Sequence, residues 1–520
     1  MAAPRKSLGA STAPWWRPPG ALDASDSELL TASFSATLRG GGGGTNSSQQ
    51  RVLQAVAAVV AGPTAESLAS LYALTRRATT QLATLPSLHS ALCLRLLDAL
   101  ADRVLALSRP ESASAAGRLV ELQHALDLLY LFSRGASIGY PSHALGKALQ
   151  ALVAGIVSAA LRGACEHEGV LKLQLLVLAE MLKANAGVRI YVKEMKKIKE
   201  LYRALTILLN STEDAELLVF SMTILARLVL NDSLGAKLFS PKNVEQAIDL
   251  VFSVLDGSWA DATTGSSDGA DRLPDLLRHT PALQCVSIDL LCDLAERSDI
   301  LSALERASKM NETVESMIAH VQLNGNPQQL LVAVHFLISI VSLGHQFRKR
   351  VVQQLATRDL LHRMLQATLH PSKMLGIAVS ELVLKIVSDD LRPLRTLLDS
   401  ASATQQLSTS IAGLIRVLND AAKVVEQGDN IDDLVASEDY LLSVQSAQLL
   451  ARLCEFPALR ALCVESISLN QVRTISSVLL RLLFFFHVLN AHQPKMWMYR
   501  ARRLSSWKLH TSTQWTHSSS

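Results

Sequence analysis

Between about Gln49 and Asn470 the apolar positions recur at helical spacing, segment after segment. EDAELLVFSMTILARLVL, 213–230, shows the pattern well. Thr212 stands where a cap belongs, Glu213, Asp214 and Glu216 suit the positive end of a helix dipole, and Arg227 falls in the last turns. Apolar residues cover nearly every face of this helix. That predicts a helix held between neighbours rather than one laid on a surface.

Such buried helices repeat. They include LLVLAEMLKANAGVR (175–189), MTILARLVLNDSLGAK (222–237), IDLLCDLAERSDIL (288–301), VHFLISIVSLGHQFRK (334–349), IAVSELVLKIVSDDL (377–391) and SAQLLARLCEFPALR (446–460), with ALDLLYLFSR upstream. Their late apolar anchors are Leu131, Leu182, Leu228, Leu294, Val341, Val387 and Leu453. Successive spacings are 51, 46, 66, 47, 46 and 66 residues. The two long intervals contain polar insertions, SWADATTGSSDGADRLP at 258–274 and EQGDNIDDLVASED at 426–439. A period near 40–47 residues built from two or three helices predicts an all-α armadillo/HEAT-like α-solenoid superhelix. No single unit can bury its apolar face alone, so the units stack around one core.

The ends differ from this body. Residues 1–48, with Pro, Ser and five successive glycines, predict a disordered leader. Residues 49–470 form the repeat arm, and 471–520 an irregular tail whose last twenty residues lack acids and apolar periodicity. The unlike composition of that tail points to an alternative exon or a displaced reading frame.

Composition narrows the function. The chain has 520 residues, 49% apolar and only 5% aromatic, which disfavours an all-β fold. Its net charge of +4 belongs to the tail, where seven basic residues and no acid follow Gln471. The arm is close to neutral and carries no footprint for nucleic acid. A tail that contacts nucleic acid or anionic membrane is the alternative reading, with the arm as a generic adaptor. The six cysteines are scattered without C-x-x-C spacing, which predicts neither a disulfide framework nor a zinc site. No leading apolar segment is present, and the run 478–489 is 12 residues long with Arg481 inside it. A membrane span needs about 20 residues. The expected location is the cytoplasm, with the nucleus also open, and no membrane partner is expected.

Catalytic patterns do not assemble. Gly135-Ala136-Ser137-Ile138-Gly139 matches G-x-S-x-G, but a helical segment precedes it where a strand is required. Gly146-Lys147 lacks the first glycine of a phosphate loop, because Pro141 stands there. Cys165-Glu166-His167-Glu168 has no second ligand cluster. The acids at 429–439 place Ile431 where an EF-hand needs an acid. His335 lies in an apolar helix and reads as a hydrogen-bonded core residue. A non-enzyme without cofactor or metal is expected. The run Lys193-Glu194-Met195-Lys196-Lys197-Ile198-Lys199, expected to open the helix that ends near Leu209, is either a solvated face or a seat for an acidic partner.

LYRALTILL (201–209), VFSMTILARLVLNDSLGAKLF (219–239) and NVEQAIDLVFSVL (243–255) closely resemble the N-terminal arm of the cancerous inhibitor of protein phosphatase 2A family. Tyr202, Arg203, Phe220, Leu228, Asn231, Gly235, Phe239 and Phe252 fall on its pattern. Looser similarity extends the likeness to roughly 115–470. The resemblance implies an armadillo-like, non-catalytic scaffold that binds regulatory subunits of protein phosphatase 2A and restrains the phosphatase. It also implies preservation of phosphorylated Myc, pairing with a DNA-damage-response adaptor, and a homodimer. Candidate partner-binding residues are Lys193, Lys196, Lys197, Lys199, Tyr202 and Arg203. The implied dimer face would lie at Leu449, Leu450, Leu453, Leu459 and Leu462, which could equally cap the last repeat's own core. The family's long coiled coil has no counterpart here.

Overall fold

The computed structural model describes residues 46–463, apart from the stretches 81–87, 109–114, 163–167, 258–281, 388–400 and 428–437 and a few gaps of one or two residues. Among the described residues there are twenty helices and no strand. The first six are α1 (Asn46–Ala61), α2 (Ala65–Thr80), α3 (Ser90–Leu107), α4 (Ala115–Ser133), α5 (His143–Arg162) and α6 (Glu168–Lys183). Four three-helix units follow: α7 (Ala186–Glu194), α8 (Ile198–Ser211) and α9 (Ala215–Val229); then α10 (Ser233–Leu238), α11 (Pro241–Leu255) and α12 (Ala282–Leu294). The third unit is α13 (Ser298–Arg306), α14 (Met310–His320) and α15 (Pro327–Leu343). The fourth is α16 (His345–Arg358), α17 (Leu361–Ala367) and α18 (Lys373–Val387). A final pair is α19 (Ala401–Gln427) and α20 (Glu438–Leu453).

The seven repeat anchors all fall on one row of helices. In it α4, α6, α9, α12, α15, α18 and α20 each pack on the next. Leu182, Leu228, Leu294, Val341, Val387 and Leu453 are buried and Leu131 half-buried. A second row lies outside it, where α5 meets α8, α11 meets α14 and α17 meets α19. One apolar core runs from Val52 to Cys463 without interruption. This is the stacked-unit solution to helices that cannot bury their apolar faces alone.

Local chemistry sets the helix starts. Asp214 caps α9, its carboxylate accepting from Leu217 N at 3.0 Å. The expected Thr212 cap stands one step back and accepts from Asp214 N at 3.0 Å. A carboxylate both accepts and complements the dipole, so Asp displaces Thr. Pro241 and Pro327 occupy the first turns of α11 and α15, where a missing N–H costs nothing. Gly235 lets α10 lie on the end of α9, since a Cβ there would strike the Val229 and Leu230 carbonyls.

Arginines tie unit to unit. Arg227 of α9 donates to Ala179 O of α6 at 2.5 Å, Arg452 of α20 to Val387 O of α18 at 3.0 Å, and Arg350 of α16 to Glu305 O of α13. By length and composition the stretch His143–Leu161 of α5 could cross a membrane, but half of it is buried within this fold. The expected 1–48 leader lies outside the described residues up to position 45, while its last three residues, Asn46 to Ser48, open α1 instead; the 258–274 insertion and the 471–520 tail also lie outside the described residues. So do positions 428–437 of the acidic insertion, whose flanks close α19 and open α20.

Candidate partner-binding face

The basic run does not open one helix. It straddles a corner: α7 ends at Glu194, Met195 turns inward to a buried position, Lys196 and Lys197 form the turn, and Ile198 opens α8. The chain breaks here because Val188 and Val192 of α7 and Leu201, Ala204 and Leu205 of α8 must each reach the core from different directions. Lys197 takes the cap position of α8 with no side-chain cap bond, and Lys199 sits in the first turn. Cations at that positive end cost about 0.3–1 kcal/mol each in an exposed setting. Their placement therefore does nothing for the helix. Lys193, Lys196, Lys197, Lys199 and Arg203 are all exposed, while Tyr202 is half-buried against the core. Burial and nearby Asp232 push the Tyr202 hydroxyl up. Lys193 lies 3.4 Å from Asp232, an exposed pair worth little in water.

The loop between α4 and α5 is fastened to α7. Asn185, buried just before α7, accepts from Ile138 N at 2.8 Å and donates to Met181 O at 3.1 Å. Gly187 makes the close approach possible, because a Cβ there would meet the Gly139 carbonyl. Tyr140 then sets its ring edge-on to Tyr191, centroids 5.6 Å apart at 86°. Gln150 of α5 donates to the Tyr191 hydroxyl at 2.9 Å, and Glu194 shares a hydrogen bond with Tyr140.

On the opposite flank of α7 a cleft of about 120 Å³ opens between the ends of α7, α9 and α12. Its walls carry Arg189, Lys193, Arg227, Asp232, Asp293 and Glu296. Below it lies a buried ionic network. Arg227 Nε donates to Asp293 at 2.6 Å, Lys183 to Asp289 at 2.6 Å, and His335 Nε2 stands 3.3 Å from Asp289. Burial pushes the Asp289 carboxyl up, but Lys183, His335 and Arg227 more than reverse this and hold it well below the usual range. Burial keeps His335 below its ordinary value against the pull of Asp289. His335 is thus a hydrogen-bonded core residue.

A second buried cation, Lys172 of α6, meets Glu168 at 2.9 Å, Asp214 at 2.7 Å and Glu216 at 3.1 Å. It locks α6 to the start of α9. Burial of the amine opposes its charge, yet Glu216 and Asp214 raise its pKa overall.

The leucines expected at a dimer face divide. Leu449, Leu450 and Leu453 are buried in the chain's own core, where α20 packs on α18 and α19. They cap the last repeat from within, and their apolar spacing serves that packing. Leu459 and Leu462 lie outside the described residues. So do Ser137 and Cys165–His167; α4 runs as helix up to Ser133, so no strand leads to Ser137. Lys147 is inside α5 rather than in a phosphate loop. Among the described residues no group of three or more His, Cys, Asp or Glu is placed to hold a metal ion.

Sequence reasoning singled out the lysines but not Tyr140, Arg189, Ile190 and Tyr191, which the fold places on or beside the same helix. Tyr140 and Tyr191 are 51 residues apart, and no local pattern joins them. Ile190 alone left a trace: an apolar residue between Arg189 and Lys193 on a helix whose inward positions are Val188 and Val192.

Residues 164–287 match the family model described as CIP2A, N-terminal. That span contains α6 to α11, the basic corner, and Lys183 and Arg227 of the buried network. Among solved structures, the chain is similar to one reported as a circular tandem repeat protein with novel repeat topology and enhanced subunit contact surfaces. Identity is 14% over 92% of this chain and 98% of that one, with a TM-score of 0.20, so the architecture rests on the helices themselves. The family match is centred on the units that build this face, and over those residues the chain is similar to the N-terminal region of CIP2A.

Proposed function

We propose that this chain is a non-catalytic helical scaffold that binds regulatory subunits of protein phosphatase 2A and inhibits or redirects the phosphatase. The observation carrying this reading is the coincidence of the family match, 164–287, with an exposed corner that bears six basic residues and two acids between Arg189 and Arg203. The mechanism is occupancy. A regulatory subunit held on α7 and α8 is withheld from substrates or from other subunits, and phosphorylated Myc and related signals persist. Pairing with a DNA-damage-response adaptor, homodimerisation, and residence in the cytoplasm and also the nucleus belong to the same reading.

The test is a pull-down of the full chain against purified regulatory subunits across a salt series. Surface charge pairs weaken once the Debye length falls below about 10 Å, so affinity should decline with salt. Reversing Lys193, Lys196, Lys197 and Lys199 to Glu should reduce binding at least tenfold. Unchanged affinity in that variant removes the basic corner from the account.

A further inference from the structure

The solvent-facing arc of α7 carries more than charge. Successive residues of a helix are about 100° apart. With Val188 and Val192 directed into the core, the outward arc runs from Arg189 and Lys193, through Ala186 and Ile190, to Glu194 and Tyr191. Ile190 is 53% exposed at the middle of that arc, and Tyr140 is 63% exposed beside Tyr191 and Glu194. Few large apolar side chains among the described residues stand so far into solvent, and these two flank one short helix.

We infer that Ile190, Tyr140 and Tyr191 form the energetic centre of a protein-docking face, and that its occupant is an acidic protein surface presenting a large apolar side chain. Three observations fix that chemistry. The apolar centre excludes an occupant that is charged throughout, because burying Ile190 against unpartnered charge is unfavourable. Interface centres favour tyrosine and arginine, with charge at the rim, and here Arg189 and Lys193 stand on one edge of the arc, with exposed Lys196, Lys197, Lys199 and Arg203 following in the turn and in α8. The face is also already shaped. Asn185 bonds the loop to α6, Gly187 seats it on α7, and the Gln150 bond orients Tyr191, so little ordering remains to be done on binding. The basic side chains complement acids on the occupant and steer its approach.

This inference rests on the proposed function only in its choice of probe, the regulatory subunits of the phosphatase. The full chain carrying Ile190→Asp, Tyr140→Ala or the fourfold lysine reversal is titrated against them at low and at physiological salt. Ile190→Asp and Tyr140→Ala should each weaken binding about tenfold or more at both salts, with thermal melting unchanged because both side chains are exposed. The lysine reversal should act most strongly at low salt. Loss confined to the lysine reversal, with Ile190→Asp and Tyr140→Ala binding normally, overturns the inference and leaves the proposed function standing. No binding of the unaltered chain to any regulatory subunit refutes the proposed function and with it this occupant.

Discussion

Replacing Arg227 with Met tests whether the ionic network beneath the face holds the repeats in register. Its side chain is only 3% exposed and joins three units: Nε to Asp293 of α12 at 2.6 Å, Nη1 to Ala179 O of α6 at 2.5 Å, and Nη2 3.9 Å from Asp289. Each hydrogen bond to a charged group is worth about 1.5–3 kcal/mol, and breaking a buried pair costs about 3–5 kcal/mol through the charge left behind. Two features moderate this. Asp289 keeps Lys183 at 2.6 Å, and the Asp293 side chain is 22% exposed, so water can partly solvate it. Met fills most of the space. The expected loss is about 3 kcal/mol. Asp293→Asn removes the orphaned charge, so the double variant should recover about 1–2 kcal/mol relative to the sum of the single losses. Urea unfolding gives the totals. Because a solenoid can open unit by unit, hydrogen exchange of α6, α9 and α12 amides locates the effect. A loss under 0.5 kcal/mol in Arg227→Met, or strictly additive losses, refutes the network as a structural tie.

Asp127 of α4 is buried beside Tyr72, whose ring stacks on His124 at 3.9 Å, and burial, partly offset by the Tyr72 hydrogen bond, pushes its pKa to about 7. The unfolded carboxyl ionises near 3.8, so stability is lost as pH rises from about 4 to 7. At 1.36 kcal/mol per unit this reaches roughly 4 kcal/mol, and Asp127→Asn should raise the melting temperature at pH 8 while changing little near pH 4. Equal effects at both pH values would contradict the burial argument. Gly235→Ala should cost about 1–3 kcal/mol, with lost exchange protection confined to 229–239, since its Cβ meets backbone that cannot rotate away. Leu182→Ala on the inner row should cost about 2–5 kcal/mol in urea unfolding, whereas Leu161→Ala, 52% exposed, should stay within about 0.5 kcal/mol.

The architecture was legible because burial on all sides leaves a mark in the sequence. Leu182, Leu228, Leu294, Val341, Val387 and Leu453 each close a helix whose apolar residues cover its circumference, and only an inner row needs that pattern. The outer and linking helices were harder to read. The six-residue α10 and seven-residue α17 are too short for a periodic signal. The corner at Met195–Lys197 was hidden for another reason: its lysines are good helix formers, and nothing local opposes a continuous helix. The break comes from tertiary demand, since α7 and α8 bury different faces. At α20 the ambiguity was intrinsic. Leu449, Leu450 and Leu453 have the spacing of an interface and of a core, and within one chain they are buried against α18 and α19.

The same tertiary demand explains why the face sits where it does. A nine-residue helix such as α7 would not hold its shape alone in water, where about 12–15 residues are marginal. Its rigidity is supplied from below and from the side. Val188 and Val192 are fully buried, Asn185 pins the 138–140 loop at its start, and Lys183, just before it, is anchored through Asp289 to α12 and α15. The inner polar network therefore serves the outer surface. An all-apolar core at those positions could hold the units together equally well, but the ionic contacts, with their defined directions, fix how α6, α9 and α12 are turned relative to one another. That rotation decides whether Arg189 and Lys193 face the cleft and whether Tyr191 stands beside Tyr140. A binding face assembled from three short segments needs such a foundation more than a single long helix would.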